Sequence, residues 1–317
     1  MAAASHVKSA TNRYDFMGKR LFFVPLSIIL LVATVYIWFA RGDEKYGIDF
    51  VGGNSIIVKI SGAADMEKMS EALSTEGLQS ATVQSFEVGS QDYSIRVGLV
   101  KGLDSKQIKD KVEAALTKLH PGAFEILKVD SVGATIGEEV RKDALIAIAL
   151  GLVAITIYVT LRFEFAFALG ALASLFHDVA VAVGVYLWLG HDLNSAALAG
   201  ALMIVGYSVN DTIVIFDRVR EEIRRRKQFN LEQLLNESIN ICLSRTIITT
   251  ATTLFLVTSL LVLGGGSIQD LALYIFVGMV SGVYSTIYIA APVVLWWNGV
   301  RPGKLLAGAE ESHTVAA

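Results

Sequence analysis

One cysteine, four prolines and five histidines are all that 317 residues contain of those three types, and each scarcity narrows the reading. The lone Cys242 cannot close an internal disulfide, so the fold stands without one. It reads as a small buried hydrophobe, with a thiol linking two copies as the alternative. So few prolines fit long, uninterrupted helices. Charge is sparse as well, 18% of residues against 53% hydrophobic, and it is unevenly spread. The net charge of −3 averages two unlike parts and therefore points to no partner. Residues 41–143 mix charge with apolar character as a soluble domain does, whereas 144–297 is mostly long apolar runs.

A spanning helix needs about 20 apolar residues. Six stretches qualify: 21–40, 144–161, 165–189, 196–216, 246–263 and 271–297. The first follows Lys19 and Arg20, as a signal peptide would, but its apolar run is too long for a signal core. Arg41-Gly-Asp-Glu-Lys45 after it is no small-residue cleavage site, so it reads as an uncleaved anchor. Lysine and arginine in the short flanks set the orientation. Lys8, Arg13, Lys19 and Arg20 precede the first span, Arg162 follows the second, and Arg218, Arg220, Arg224, Arg225, Arg226 and Lys227 follow the fourth. Arg301 and Lys304 follow the sixth, while the gaps 190–195 and 264–270 contain neither residue type.

This pattern predicts a cytoplasmic segment 1–20, a first span 21–40 and an external domain 41–143. A five-helix bundle 144–297 follows, with a cytoplasmic basic loop 217–243 and a cytoplasmic tail 298–317. Arg141 and Lys142 fall on the far side, next to a domain large enough to cross regardless of charge. The basic run 218–227 reads as a solvated, headgroup-facing helix that sets topology, not as a nucleic-acid site. Gly264-Gly-Gly266 reads as a turn, since no strand precedes it as a phosphate loop requires.

The external segment carries strand-like runs at 54–60, 81–88, 92–98 and 124–132. Helical spacing covers 65–75 and 104–119, with Asp65 and Asp104 as N-caps and His120-Pro-Gly122 as a stop. The order β-α-β-β-α-β is that of a ferredoxin-like split sandwich. It holds no metal-ligand cluster and no nucleophile beside a base. His120, alone before a proline, reads as a solvated turn residue.

Ionisable groups inside the spans are few: His177, Asp178, Asp211 and Arg245. An acid in hydrocarbon costs roughly 2.5–3.5 kcal/mol on the mildest scale, so it marks a proton or ion pathway by default. Asp211, beside Asn210, lies about two helical turns before the basic stretch. Arg245 enters the next span from the same side, so the two reach similar depth on helices adjacent in sequence. As a pair each offsets the other's desolvation, and protonating Asp211 releases the arginine, which makes a two-state element. The alternatives are that Asp211 serves as structural glue and that Arg245 snorkels to the interface. Asp178 and His177, adjacent in mid-span, read equally as a functional pair or as two groups satisfying each other.

Short motifs carry a resemblance. Tyr46-Gly-Ile-Asp-Phe-Val-Gly-Gly53, with Gly47, Asp49, Phe50, Gly52 and Gly53, resembles the motif after the first helix in the SecD/SecF protein-export family. Val132-Gly-Ala-Thr-Ile-Gly137 resembles that family's second shared motif. Arg162-Phe-Glu164, Gly170-Ala-Leu-Ala-Ser-Leu-Phe-His-Asp178, Gly206–Arg220 and Ser244-Arg-Thr246 match further positions, in order, from about residue 10 to 300. The aspartate placed second in Asn210-Asp211 and the short external domain are similar to the SecF branch. The resemblance implies a six-helix half of a twelve-helix unit of the resistance–nodulation–division superfamily. It implies an obligate SecD partner, the SecYEG translocon, YajC and YidC as accessory partners, and a translocating polypeptide as client. It implies a place in the bacterial inner membrane, proton-gradient-driven export, Asp211 as relay acid and Arg245 as its charge partner, with an acid of SecD alongside. No cofactor, metal or catalytic residue is implied. Three rival readings remain: half of a small-molecule exporter, an intramembrane aspartyl protease using Asp178 and Asp211, and a passive scaffold.

Overall fold

The computed structural model describes residues 14–62, 64–79, 81–85, 91–100, 102–226 and 229–300. Lys8, Arg13, Lys227, Arg301 and Lys304 lie outside the described residues, as do positions 86–88 of the second expected strand and the tail from 301. The chain opens with helix α1 (Arg20–Ala40), a 3-10 turn (Gly42–Lys45) and the short helix α2 (Ile48–Val51). Strand β1 (Gly53–Ile60), helix α3 (Met66–Thr75), β2 (Ala81–Ser85), β3 (Asp92–Val97), α4 (Ser105–Leu119) and β4 (Phe124–Val132) follow. The rest is helical: α5 (Ala134–Arg162), α6 (Phe165–Trp188), α7 (Ser195–Arg225), α8 (Leu231–Leu263), α9 (Gly266–Ser285), a π segment (Thr286–Ala290) and α10 (Ala291–Val300). Two compact units result. One joins Gly42–Ala147 with Gly190–Ser195; the other takes the chain up to Arg41, Ile148–Leu189 and everything from Ala196.

In the first unit four antiparallel strands stand in the order β2-β3-β1-β4, the sheet of a ferredoxin-like fold. Period-two burial along β1 turns Ile56, Val58 and Ile60 inward, each fully buried. They meet Met69 and Leu73 of α3, Ile108, Val112 and Leu116 of α4, and Tyr93 and Ile95 of β3. Fully burying each large aliphatic side chain contributes about 1.5–3 kcal/mol. The expected caps are in place. Asp65 accepts from the Glu67 and Lys68 amides, and Asp104 forms a capping box with Gln107.

Six helices are long and apolar enough to cross a membrane, so the chain is a multi-pass membrane protein with a small sheet domain between the first two. Within the membrane unit α6 packs against α1 and α9, and α9 also packs against α8. The apolar windows of α6 and α9 are 61% and 56% buried, against 6% for α1, so these two helices form the centre. Small residues permit that approach. A Cβ on Gly170 would stand 2.7 Å from the Ala290 carbonyl oxygen, and one on Gly278 would stand 2.0 Å from Ile204.

The helices outrun the apolar stretches that announce them. α5 begins at Ala134, α8 at Leu231, and α9 at Gly266, inside the stretch read as a gap. The basic stretch 217–243 is thus mostly two helical extensions joined by a short connection. The start of α8 buries Leu231, Leu234, Leu235, Ile239 and Cys242 at helical spacing against Phe167, Phe216 and Val219. Cys242 is a buried free thiol. Polar residues on other faces of the same stretch bind the segment that leads into α1. The Asn236 side-chain oxygen accepts from the Phe16 amide at 2.7 Å, Asn240 exchanges bonds with the Tyr14 backbone at 3.1 and 2.8 Å, and Glu232 pairs with Arg20.

Three of the arginines after the fourth span, Arg218, Arg225 and Arg226, form ion pairs within the chain. Arg218 reaches Glu221 and Glu222 at 2.6 and 2.7 Å, and Arg225 reaches Glu221 at 2.6 Å. Arg226 bridges Glu222 at 3.2 Å to Glu237 of α8 at 2.7 Å. Glu222 and Glu237 are buried, so this end of α7 is fastened to α8 by ion pairs and is not simply a solvated face.

Candidate functional site

Two buried acids of the membrane unit, Asp178 and Asp211, have opposite surroundings. Asp178, on α6, is fully buried and saturated with donors. Ser281 of α9 donates to its Oδ1 at 2.7 Å, while Ser208 of α7 and Ser285 of α9 donate to its Oδ2 at 2.6 and 2.7 Å. Ser281 and Ser285 are four residues apart on α9 and therefore share a face. Three helices converge on one carboxyl group, and hydrogen bonds to an ionised acceptor are about twice as strong as neutral ones.

His177 lies against the same cluster. Its Nδ1 is 3.3 Å from Asp178 Oδ1 and its ring is 5.7 Å from that of Tyr284. Its Nε2 is buried with no hydrogen-bond partner. Tyr284 in turn donates to the Phe23 carbonyl at 2.6 Å and bonds Ser27 at 2.7 Å, tying α1 to the cluster. One turn further along α7, Thr212 bonds Thr286 at 2.9 Å, where the helix carrying the serines passes into its π segment. Such bulges concentrate at functional sites.

Asp211 sits three residues beyond Ser208 on α7 and is buried, at 6% exposure. Its polar neighbours are few. Arg245 of α8 acts on it through space, without a contact ion pair, and the Thr250 hydroxyl lies beside it. Arg245 itself is exposed on the surface of this chain, as is Asn210. Thr246 and Thr250, one turn apart on the buried face of α8, have hydroxyls with no hydrogen-bond partner. The two acids are therefore not equivalent. Serines from two other helices donate to both oxygens of Asp178. Among the described residues no three His, Cys, Asp or Glu side chains gather as a metal site would require.

Glu164 lies in the turn between α5 and α6. Burial raises its carboxyl above the usual range, and Arg220 and Arg224 nearby oppose that rise. The motif residues Gly47, Asp49, Phe50, Gly52 and Gly53 lie in the sheet unit.

The serines Ser208, Ser281 and Ser285 have no signature in the sequence, because serine in an apolar helix is ordinary. Only the buried acid they serve could have prompted a search for donors on facing helices.

Comparison with known proteins is consistent with these features. A family model described as protein export membrane protein SecD/SecF, C-terminal, matches residues 111–300. Protein translocase subunit SecF of Rickettsia akari is 37% identical over 282 residues, covering 89% of this chain and 91% of that protein. Its counterpart in Calditerrivibrio nitroreducens is 34% identical over 298 residues, covering 93% and 97%. Among solved structures, SecDF of Thermus thermophilus, a translocon-associated membrane protein, superposes with a TM-score of 0.82 at 32% identity over 92% of this chain. SecDF in a super-membrane-facing form gives 0.67 at 31% identity over 93%. This chain spans only 39% and 40% of those two SecDF chains.

Proposed function

The chain belongs to the SecD/SecF family of protein-export membrane proteins, and from that premise we propose that it is the SecF-type half of a proton-driven unit that promotes protein export across a bacterial inner membrane. The observation that carries the proposal is Asp211: a buried carboxyl on a membrane helix, poorly supplied with donors, with a guanidinium acting on it through space. A group so placed can take up and release a proton without dismantling a hydrogen-bond network. Asp178 cannot do so as readily, because three serine hydroxyls depend on it.

Arg245 is the charge partner in this reading. Its exposure on this chain's own surface supports a site completed by a second protein, a SecD-type half carrying an acid of its own. The matched SecDF chains are more than twice as long as this one, as two joined halves would be. Both termini are cytoplasmic and residues 41–143 external, on the lysine and arginine distribution. SecYEG is the channel served, and YajC and YidC the accessory proteins, by analogy with the family.

One proton crossing about 100 mV supplies about 2.3 kcal/mol. That tilts a two-state equilibrium by about fiftyfold at 1.4 kcal/mol per factor of ten, enough to drive a cyclic rearrangement when repeated. The test is Asp211→Asn in membranes containing the assembled complex. Export that depends on the proton gradient should collapse, while export driven by ATP hydrolysis alone continues and the complex still assembles. Full gradient-dependent export in that variant would end the proposal, since an amide cannot relay a proton.

A further inference from the structure

The motif around Asp49 is held by backbone and side-chain bonds to the segment that precedes α7. Residues 45–47 pair in parallel with Leu193, in the segment that precedes α7. The Gly47 amide donates to the Leu193 carbonyl at 2.7 Å, and the Leu193 amide donates to the Lys45 carbonyl at 2.8 Å. A Cβ on Gly47 would stand 3.0 Å from that Leu193 oxygen and 3.3 Å from the Asn194 Cβ, a tight fit. Two residues on, Asp49 turns its carboxylate onto α7, whose first amide, that of Ser195, donates to Oδ2 at 2.7 Å. A carboxylate there meets both an orphan amide and the positive end of the helix dipole.

Further contacts hold the same loop from the sheet. Gln84 of β2 donates to Asp192 at 3.4 Å, and Arg96 of β3 forms an ion pair with it. The far end of the motif locks onto the start of α5. Gly52, at φ +77°, has no room for a Cβ, which would stand 3.0 Å from the Ala134 amide nitrogen. A Cβ on Gly137 would stand 2.8 Å from the Gly52 nitrogen. Three stretches distant in sequence, 45–53, 133–137 and 190–195, are thus joined within one unit, and two membrane helices begin at the join.

We infer that this join is the mechanical coupling between proton uptake and the external sheet, with Asp49 as a positioning residue that fastens the first turn of α7 to it. The inference rests on the proton-driven reading above. Asp211 lies on the same continuous helix as Ser195, about 24 Å along it at 1.5 Å per residue. A helix transmits an axial or rotational displacement only to what its end is fixed to. Here the end is fixed by one side-chain cap, a two-bond backbone pairing and the Asp192 contacts to the sheet.

The experiment uses the full chain assembled with its SecD-type partner in membrane vesicles, with Cys242→Ser as background. Three changes are compared: Asp49→Ala, Asp49→Asn, and the cysteine pair Tyr46→Cys with Leu193→Cys. Bridge partners lie at about the 4.4–6.8 Å Cα separation a disulfide spans. Gradient-dependent export and proton flux are both read. Asp49→Ala should lower export about fivefold, the equivalent of a lost cap worth about 1 kcal/mol at 1.4 kcal/mol per tenfold. Proton flux should persist, so the machine runs uncoupled. Asp49→Asn, also a good cap, should retain most export. The disulfide should restore export to Asp49→Ala when oxidised and release it again when reduced.

Full export in Asp49→Ala would overturn the inference, as would loss of proton flux together with export. Should Asp49→Ala fail to assemble, the disulfide in the otherwise unaltered chain decides. A permanently closed join should export at the full rate, and arrest on oxidation would show that it opens during work. Either failure leaves the Asp211→Asn result standing, so the two readings are judged separately.

Discussion

Ser208 donates to Asp178 from the face of α7 that carries Asp211 one turn later, so the two buried acids are linked through a single helix. One acid anchors that helix to α6, and the other has the Thr250 hydroxyl of α8 beside it. In the proposed function this arrangement separates holding from titrating, and each role has its own expected outcome on mutation.

Asp178→Ala should destabilise the bundle severely. It removes the common acceptor of three serine hydroxyls, and an unsatisfied buried polar group costs about 1–3 kcal/mol. Asp178→Asn, which keeps the shape and one acceptor oxygen, should fall between wild type and alanine. Thermal aggregation of the detergent-purified complex measures the order. Equal stability for all three proteins would show that the serines find other partners.

Arg245 should behave differently, because it is exposed and acts on Asp211 through space. Arg245→Ala is expected to leave assembly intact and lower gradient-dependent export about tenfold, within the usual range for coupling between two sites. Arg245→Lys keeps the charge and should retain most of the activity. Loss of assembly in Arg245→Ala would instead mean that the guanidinium stands in a contact ion pair.

Packing at the centre of the bundle can be tested by compensation. A side chain at Gly278 collides with Ile204, so Gly278→Ala should cost about 1–3 kcal/mol through overpacking. Adding Ile204→Val, which removes one methyl group from the facing side chain, should recover part of that loss. Additive losses in the double variant would refute the direct contact.

The sheet domain carries a pH-sensitive cap. The Lys68 backbone amide, helped by that of Glu67, holds the Asp65 carboxyl below its ordinary range. A depressed pKa contributes stability that is fully present above the ordinary aspartate value and lost as pH falls through the lowered one. Amide exchange over 66–75, corrected for intrinsic rates, should therefore accelerate between about pH 5 and about pH 3. In Asp65→Asn that acceleration should vanish, since asparagine caps without titrating.

Much of this architecture was legible in advance. Apolar runs of about 20 residues marked every span, and β-branched stretches between capped helices marked the order of the sheet domain. Asp211 announced itself as a charge where charge is costly. What stayed hidden depends on which faces meet. The first half of α8 reads as part of a basic loop until Leu234, Leu235 and Ile239 are seen against Phe216, and the basic run reads as solvated until Arg226 is seen bridging the buried Glu222 and Glu237. Likewise the Asp49 motif was visible only as a pattern. Its partner, the Ser195 amide, is a backbone group that no side-chain pattern can reveal.

The segment entering α1 is bound by Asn236, Asn240 and Glu232 from a helix more than 200 residues later in the chain, and Arg226 binds Glu237 on that same helix. Continuity of the chain between α7 and α8 is thus not what keeps those helices together. A chain cut after Arg226 would leave two fragments that still share the Arg226–Glu237 and Arg20–Glu232 ion pairs and a common apolar core.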